Sequence, residues 1–129
     1  MVSYMEQHGF MELQLTGIQE SRYWDPDFKL SQGAIRAGQK ALDQAGIDPA
    51  QVGMLVYGAV CRENLEPATA CAVADGLGIG AQAQVYDISN ACLGMLNGIV
   101  QVSNAIALGQ IRAGLVVRAA LVYWQLIVA

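Results

Sequence analysis

Charged and aromatic side chains are both scarce in this chain. Only 14% of its 129 residues are charged and only 7% are aromatic. Net charge is −4, and no Lys/Arg cluster interleaves with aromatic residues, so nucleic-acid binding has no electrostatic footprint. There is a single histidine, His8, and no C-x-x-C pair, which leaves no spacing suited to a zinc site. No cofactor-binding motif is legible. The first residues, MVSYMEQHGFMELQL, lack a positive segment followed by an apolar run, so no signal peptide is expected. Three cysteines, Cys61, Cys71 and Cys92, make an odd set, and free thiols in a cytoplasmic protein fit them best. Neither a tandem repeat nor a low-complexity linker divides the chain. At 54% hydrophobic residues it is no disordered tail, and residues 1–129 read as a single domain with a core of its own.

What is present is a regular alternation of helix-like and strand-like runs. Residues 1–20 read as loop or short helix, and YWDPDF, with Pro26 between two aspartates, as a turn. From Ser31 to Ala45 the small and apolar residues fall at helical spacing; Ser31 is placed to cap the start and Gly46 to end it. Met54 to Val60 is a continuous apolar run, as in a strand buried on both faces. A second helix is expected from Pro67, in its first turn, to Leu77, stopping at Gly78. Ala83 to Ile88 reads as a strand, Ala91 to Leu108 as a long helix closed near Gly109, and AGLVVRAALV as a last strand. Arg118 and Gln125 interrupt the greasy C-terminal stretch, which suits a buried strand or two better than a membrane span. This order implies an α/β fold with a mainly parallel sheet.

The helix expected from Ala91 to Leu108 holds no charged residue, and a helix without charges is usually buried. Gly94 and Gly98, four apart, admit close approach of another backbone. It therefore reads as a buried central helix. Cys92 falls in its first turn, where free N–H groups and the positive end of the helix dipole favour a thiolate, the nucleophilic form. The same N–H groups suit the oxyanion of a tetrahedral intermediate. A free cysteine is equally often a small buried apolar residue, and position alone leaves both readings of Cys92 open. Cys71, inside ATACAVA, and Cys61 read as structural.

DISNACLGMLNGI resembles the nucleophile segment of the thiolase superfamily, most closely that of 3-oxoacyl-acyl-carrier-protein synthase III and its relatives. LTGIQESRYW, AIRAGQKALDQAGIDPAQVGMLVYGAV and LEPATACAVADGLGI resemble further segments of that family, in order, from about Leu15 to Val117. CRENLEPATA is most similar to the acyl-CoA condensing enzymes of long-chain olefin biosynthesis. The resemblance implies a thiolase-like half, an acyltransferase of lipid metabolism, acyl-CoA or acyl-carrier-protein thioesters as partners, and a homodimer. It implies that Cys92 takes an acyl group and that a second thioester, made a carbanion equivalent, attacks it to give a 3-oxoacyl product. It also implies that Glu66 serves as base, reaching the active site of a partner subunit; beside Pro67, a plain helix-capping carboxylate is the other reading.

The chain departs from that family in five places. It is about half the expected length, shows no counterpart of the family's first strand ahead of LTGI, has no histidine after His8, carries Leu15 where an arginine is common, and continues after GLVV with RAALVYWQLIVA. A truncated or frame-shifted gene product has this appearance. Two functions are therefore carried forward: a condensing acyltransferase seen as its N-terminal half, and a non-catalytic remnant that binds or mimics a subunit.

Overall fold

The structure, a computed structural model, describes residues 25 and 27–119. The readings of residues 1–20, of Pro26, and of the last strand beyond residue 119 lie outside the described residues. A turn closed by the Phe28 N–H on the Asp25 carbonyl, 2.9 Å, leads into α1, Leu30–Ala45. Leu30, Ala34, Gly38 and Leu42 form its buried stripe. Its N-cap is Lys29, not Ser31; Ser31 is buried within the first turn, and its N–H donates to the Glu63 carboxylate at 2.9 Å. The other end is as expected: Gly46 is left-handed, with φ of 64°, and the Ile47 N–H closes the turn on the Leu42 carbonyl.

A 3-10 turn, Pro49–Gln51, then starts β1, Val52–Gly58, which begins and ends two residues before the expected run. It is followed by α2, Thr69–Leu77, stopped at the left-handed Gly78. Pro67 lies two residues ahead of this helix rather than in its first turn, joined to Glu66 by a cis peptide bond. After β2, Gln84–Ile88, comes α3, Gly94–Ala107, and then β3, Ala113–Val117. The strands form one parallel sheet in the order β2-β1-β3. Because β1 is central and covered on both faces, its sequence is almost unbroken apolar.

Strand alternation divides the core in two. Leu55 and Tyr57 of β1, with Leu115 and Val117 of β3, pack against Ala34 and Leu42 of α1 and Val73 and Leu77 of α2. Met54 and Val56, with Val116, face Val102 and Ala105 of α3. The described residues thus form helix, sheet, helix, with α3 the one described helix on its side. This corrects the expectation of a helix covered on most sides. Only Gly94, Gly98, Val102 and Ala105 of α3 are buried, one stripe set against the sheet. Met95, Leu96, Ile99, Val100 and Ile106 are exposed, since no described residue lies over them.

Two glycines bring α3 onto the sheet. A Cβ on Gly58 would sit 2.5 Å from the Gly94 carbonyl oxygen and 2.7 Å from the Met95 nitrogen; one on Gly98 would sit 2.8 Å from Val116 and 3.0 Å from Val56. At Gly58 the obstacle is backbone, which cannot turn aside. Gly58→Ala should therefore destabilise the chain by about 1–3 kcal/mol, the usual cost of overpacking. Gly80→Ala, with nothing within 4 Å of its Cβ, should stay within about 0.5 kcal/mol of the parent. Urea unfolding of both variants checks this; equal midpoints would show that the Gly58–Gly94 approach is dispensable.

Candidate active site

In a parallel sheet the carboxyl ends of the strands share one edge, where ligand sites of α/β proteins form. Here Gly58 and Ile88, the last residues of β1 and β2, are register partners. The segment after β1 carries Glu66, and the segment after β2 carries Cys92. The topology therefore sends both candidate residues out of neighbouring strands on the same side of the sheet.

Cys92 is one residue ahead of the α3 N-cap, Leu93, rather than in the helix's first turn. The Leu93 N–H donates to the Asn90 carbonyl at 2.9 Å, closing a tight turn over Asn90–Leu93. Within it Ala91 has φ of 44°, a left-handed conformation that costs a non-glycine residue roughly 1–2 kcal/mol. That residue cannot be helical, which is why α3 starts three residues later than its sequence suggests. The turn is fastened to the helix by Asn90 Nδ2, which donates to Asn97 Oδ1 at 2.6 Å. Cys92 is exposed. The start of α3 has neither a side-chain cap nor an acid in its first turn, and the Met95 and Leu96 N–H groups have no acceptor among the described residues. An open helix end of this kind attracts negative charge.

The loop from Cys61 to Ala68 is held at several points. Tyr57, wholly buried in β1, donates its hydroxyl to the Cys61 carbonyl at 3.0 Å and lies 3.3 Å from that of Ala119. Burial first, and the negative charge of Asp87 second, push its phenol up to about 12, so it remains a donor. Midway, the Glu63 N–H donates to Thr69 Oγ1 at 3.0 Å, while its carboxylate accepts from the Ser31 N–H. Hydrogen bonding from Ser31, by its side chain first and its N–H second, holds the Glu63 carboxyl below its ordinary range against the opposing effect of burial. At the end, Asp87 accepts from the N–H groups of Thr69 and Ala70. Glu66 itself is exposed, on the outer part of the loop, and makes no hydrogen bond or ion pair among the described residues.

Sequence reasoning missed Tyr57, Glu63 and Asp87. The available signal was Asp87, the one charged residue between Asp75 and Arg112. It also misjudged Cys71, which is exposed at the third position of α2, outside the buried set Thr69, Ala70, Val73, Ala74 and Leu77. Cys61 is half-buried. The described residues hold no group of three metal-ligating side chains, and no helix among them is long and apolar enough to cross a membrane.

A parallel α/β layer with a cysteine-bearing turn at the carboxyl end of a strand defines the class, and comparison with known proteins gives the family. Residues 19–119 match the model for the thiolase N-terminal domain, and the chain belongs to that family. It is 54% identical over 103 residues to an acyl-CoA:acyl-CoA alkyltransferase of Shewanella oneidensis, covering 80% of this chain and 30% of that protein. A beta-ketoacyl-[acyl-carrier-protein] synthase III of Symbiobacterium thermophilum is 36% identical over 114 residues, covering 85% of this chain and 34% of that one. Among solved structures, a variant of Xanthomonas campestris OleA superposes with a TM-score of 0.83 at 32% identity, over 91% of this chain and 35% of that one. A 3-oxoacyl-(acyl carrier protein) synthase III, FabH, from Xanthomonas oryzae superposes at 0.76 with 32% identity, over 90% and 38%. The chain thus spans about a third of the length of the relatives it matches.

Cys71 and Cys92 are both exposed, so their reactivities report environment rather than access. The start of α2 is already satisfied by the Asp87 carboxylate, whereas that of α3 is open. Iodoacetamide near neutral pH should therefore label Cys92 about two- to fivefold faster than Cys71, the factor that 0.3–1 kcal/mol of helix-dipole stabilisation gives. Peptide mass analysis over time measures both rates, and equal rates would remove the case for an activated Cys92.

Proposed function

We propose that this chain carries the acyl-accepting part of a condensing acyltransferase, with Cys92 as nucleophile and Glu66 as base. The observation behind this reading is the exposed thiol of Cys92 in a strained turn, next to an uncapped helix start. In the reaction, the thiolate attacks the carbonyl carbon of an acyl thioester, and the N–H groups at the start of α3 are the available donors to the oxyanion. The donor's sulfur departs as a thiolate, leaving acyl-Cys92. A second acyl thioester gives its α-proton to the carboxylate of the partner subunit's Glu66, and the resulting carbanion attacks acyl-Cys92. Cys92 leaves as thiolate and the product is a 3-oxoacyl thioester.

The relatives support the substrate class. A cysteine-to-serine variant of Xanthomonas campestris OleA has been solved with bound lauric acid and lauroyl-CoA, and OleA variants with a glutamate replaced by glutamine or aspartate have also been solved. Glu66 and Cys92 are as far apart in sequence as that glutamate and that cysteine. Long-chain acyl-CoA is therefore the first substrate to test, ahead of acyl carrier protein. Incubated with lauroyl-CoA, the chain should gain a lauroyl mass on Cys92, absent after Cys92→Ser and unchanged after Glu66→Gln. With residues 19–119 grafted in place of the matching segment of the Shewanella enzyme, Glu66→Gln should lower 3-oxoacyl product by about two to four orders of magnitude, the usual weight of a general base. Loss of both steps together would make Glu66 structural; loss of neither would leave it a surface carboxylate.

Two observations favour the second reading, a non-catalytic subunit-binding protein: the outer face of α3 is apolar and exposed, and among the described residues β2 is an edge strand. Both readings imply association, here into a homodimer, because a contiguous apolar surface of this kind is seldom left in water. Light scattering at micromolar concentration should show a dimer or larger species. A monodisperse monomer would exclude association through this face, and a dimer that acquires no acyl group would favour the non-catalytic reading.

A further inference from the structure

A carboxylate half-buried in a sheet is costly unless N–H groups satisfy it. Asp87 stands in β2, beside its register partner Tyr57. Its Oδ2 accepts from the Thr69 N–H at 2.9 Å and its Oδ1 from the Ala70 N–H at 2.8 Å. These are the first two N–H groups of α2, whose own N-cap, Ala68, has no side-chain oxygen to offer them. Thr69 is fully buried, so water does not replace Asp87 there.

A serine or aspartate at position 68 would cap α2 as well. A cap supplied from β2 does something a local cap cannot. It ties the end of the Glu66 loop to the strand that runs, three residues later, into the Asn90–Leu93 turn. The rest of the loop is fixed from the same region: Tyr57 holds the Cys61 carbonyl, and Glu63 joins Thr69 to Ser31 of α1. We propose that Asp87 is a positioning residue: by clamping the start of α2 to β2, it fixes where the Glu66 loop stands on its own sheet, with Cys92 of the same chain as the reference point, and so where Glu66 is presented to a partner subunit. The inference rests on the reading above for what those two residues do, but the placement itself can be measured without it.

The test uses the 129-residue chain with Cys61→Ser, Cys71→Ser and Glu66→Cys, nitroxide-labelled at positions 66 and 92 and diluted with unlabelled chain. Pulsed dipolar spectroscopy gives the distance distribution between the labels. Asp87→Asn should widen that distribution by about twofold or more, as expected when a local tie is released. Adding Ala68→Asp to Asp87→Asn restores a cap without restoring the clamp. It should bring back Tm while leaving the distribution wide. An unchanged width in Asp87→Asn, or a width that recovers together with Tm, would overturn the proposal. Should Asp87→Asn fail to fold, amide exchange in the parent chain decides. Thr69 and Ala70 should exchange as slowly as the β1 core, and exchange as fast as that of Asn64 and Leu65 would overturn the clamp. None of these readouts depends on acyl transfer, so a chain that takes no acyl group would end the functional reading and leave the clamp standing.

Discussion

The backbone contact between Gly58 and Gly94 is the constraint on which the site depends. At the carboxyl end of β1 the chain has no side chain, and the first residue of α3 has none either, so strand and helix meet through their peptide groups. That approach fixes where α3 begins. The turn ahead of it must then cover the distance from the end of β2 to the helix start in few residues. Ala91 takes the left-handed conformation that this path requires, and Cys92 is carried out of the sheet at the mouth of an uncapped helix. A side chain at position 58 or 94 would move the helix off the sheet and the thiol with it.

The helix starts explain most of the difference between sequence and structure. The helix ends were legible, because Gly46, Gly78 and Gly109 are all left-handed, as their positions after helical patterns imply. The starts were not. Lys29, Ala68 and Leu93 are poor N-caps, and the one local mark is at α1, where Gln32 Oε1 accepts from the Lys29 N–H at 3.2 Å. For α1 and α2 the missing acceptors come from distant residues: Glu63 meets the Ser31 N–H, and Asp87 meets those of Thr69 and Ala70. Hydrogen bonds between residues 18 or 32 positions apart leave no trace in a periodicity. For α3 none of the described residues supplies such an acceptor. Sequence reasoning therefore placed Cys92 a turn too deep in the helix and Ser31 in a capping role it does not have.

The candidate site was legible in part for the same reason. A thiol between a strand and an uncharged helix is visible in the sequence, and so is a glutamate before a proline. That both leave adjacent parallel strands at the same edge follows from topology, which the alternation of elements already implied. What could not be read is how the Glu66 loop is held. Tyr57 looks like any apolar strand residue, yet its hydroxyl anchors the loop at Cys61. Glu63 looks like a solvated charge, yet it joins α1 to the start of α2. The result is a loop pinned at both ends that leaves Glu66 exposed and without a partner among the described residues. A carboxylate presented in this way can serve a group lying outside the chain's own core.

The charge-free sequence of α3 has the same implication for a larger surface. A helix that packs one stripe on a sheet normally carries ions on its other side. Here the packed stripe is Gly94, Gly98, Val102 and Ala105, while Leu96, Ile99, Val100 and Ile106 face outward. Gly and Ala bury little area of their own, so this stripe is selected for closeness to the sheet rather than for hydrophobic stabilisation. Apart from Val102, the larger apolar side chains have been placed on the outer side, where burying them against the sheet was never possible. Such a distribution stabilises nothing within the described residues, and it exposes apolar area at a free-energy cost. It becomes favourable once that face is covered. The helix therefore has two faces: a tight one, which fixes the turn bearing Cys92, and an apolar one that no described residue covers.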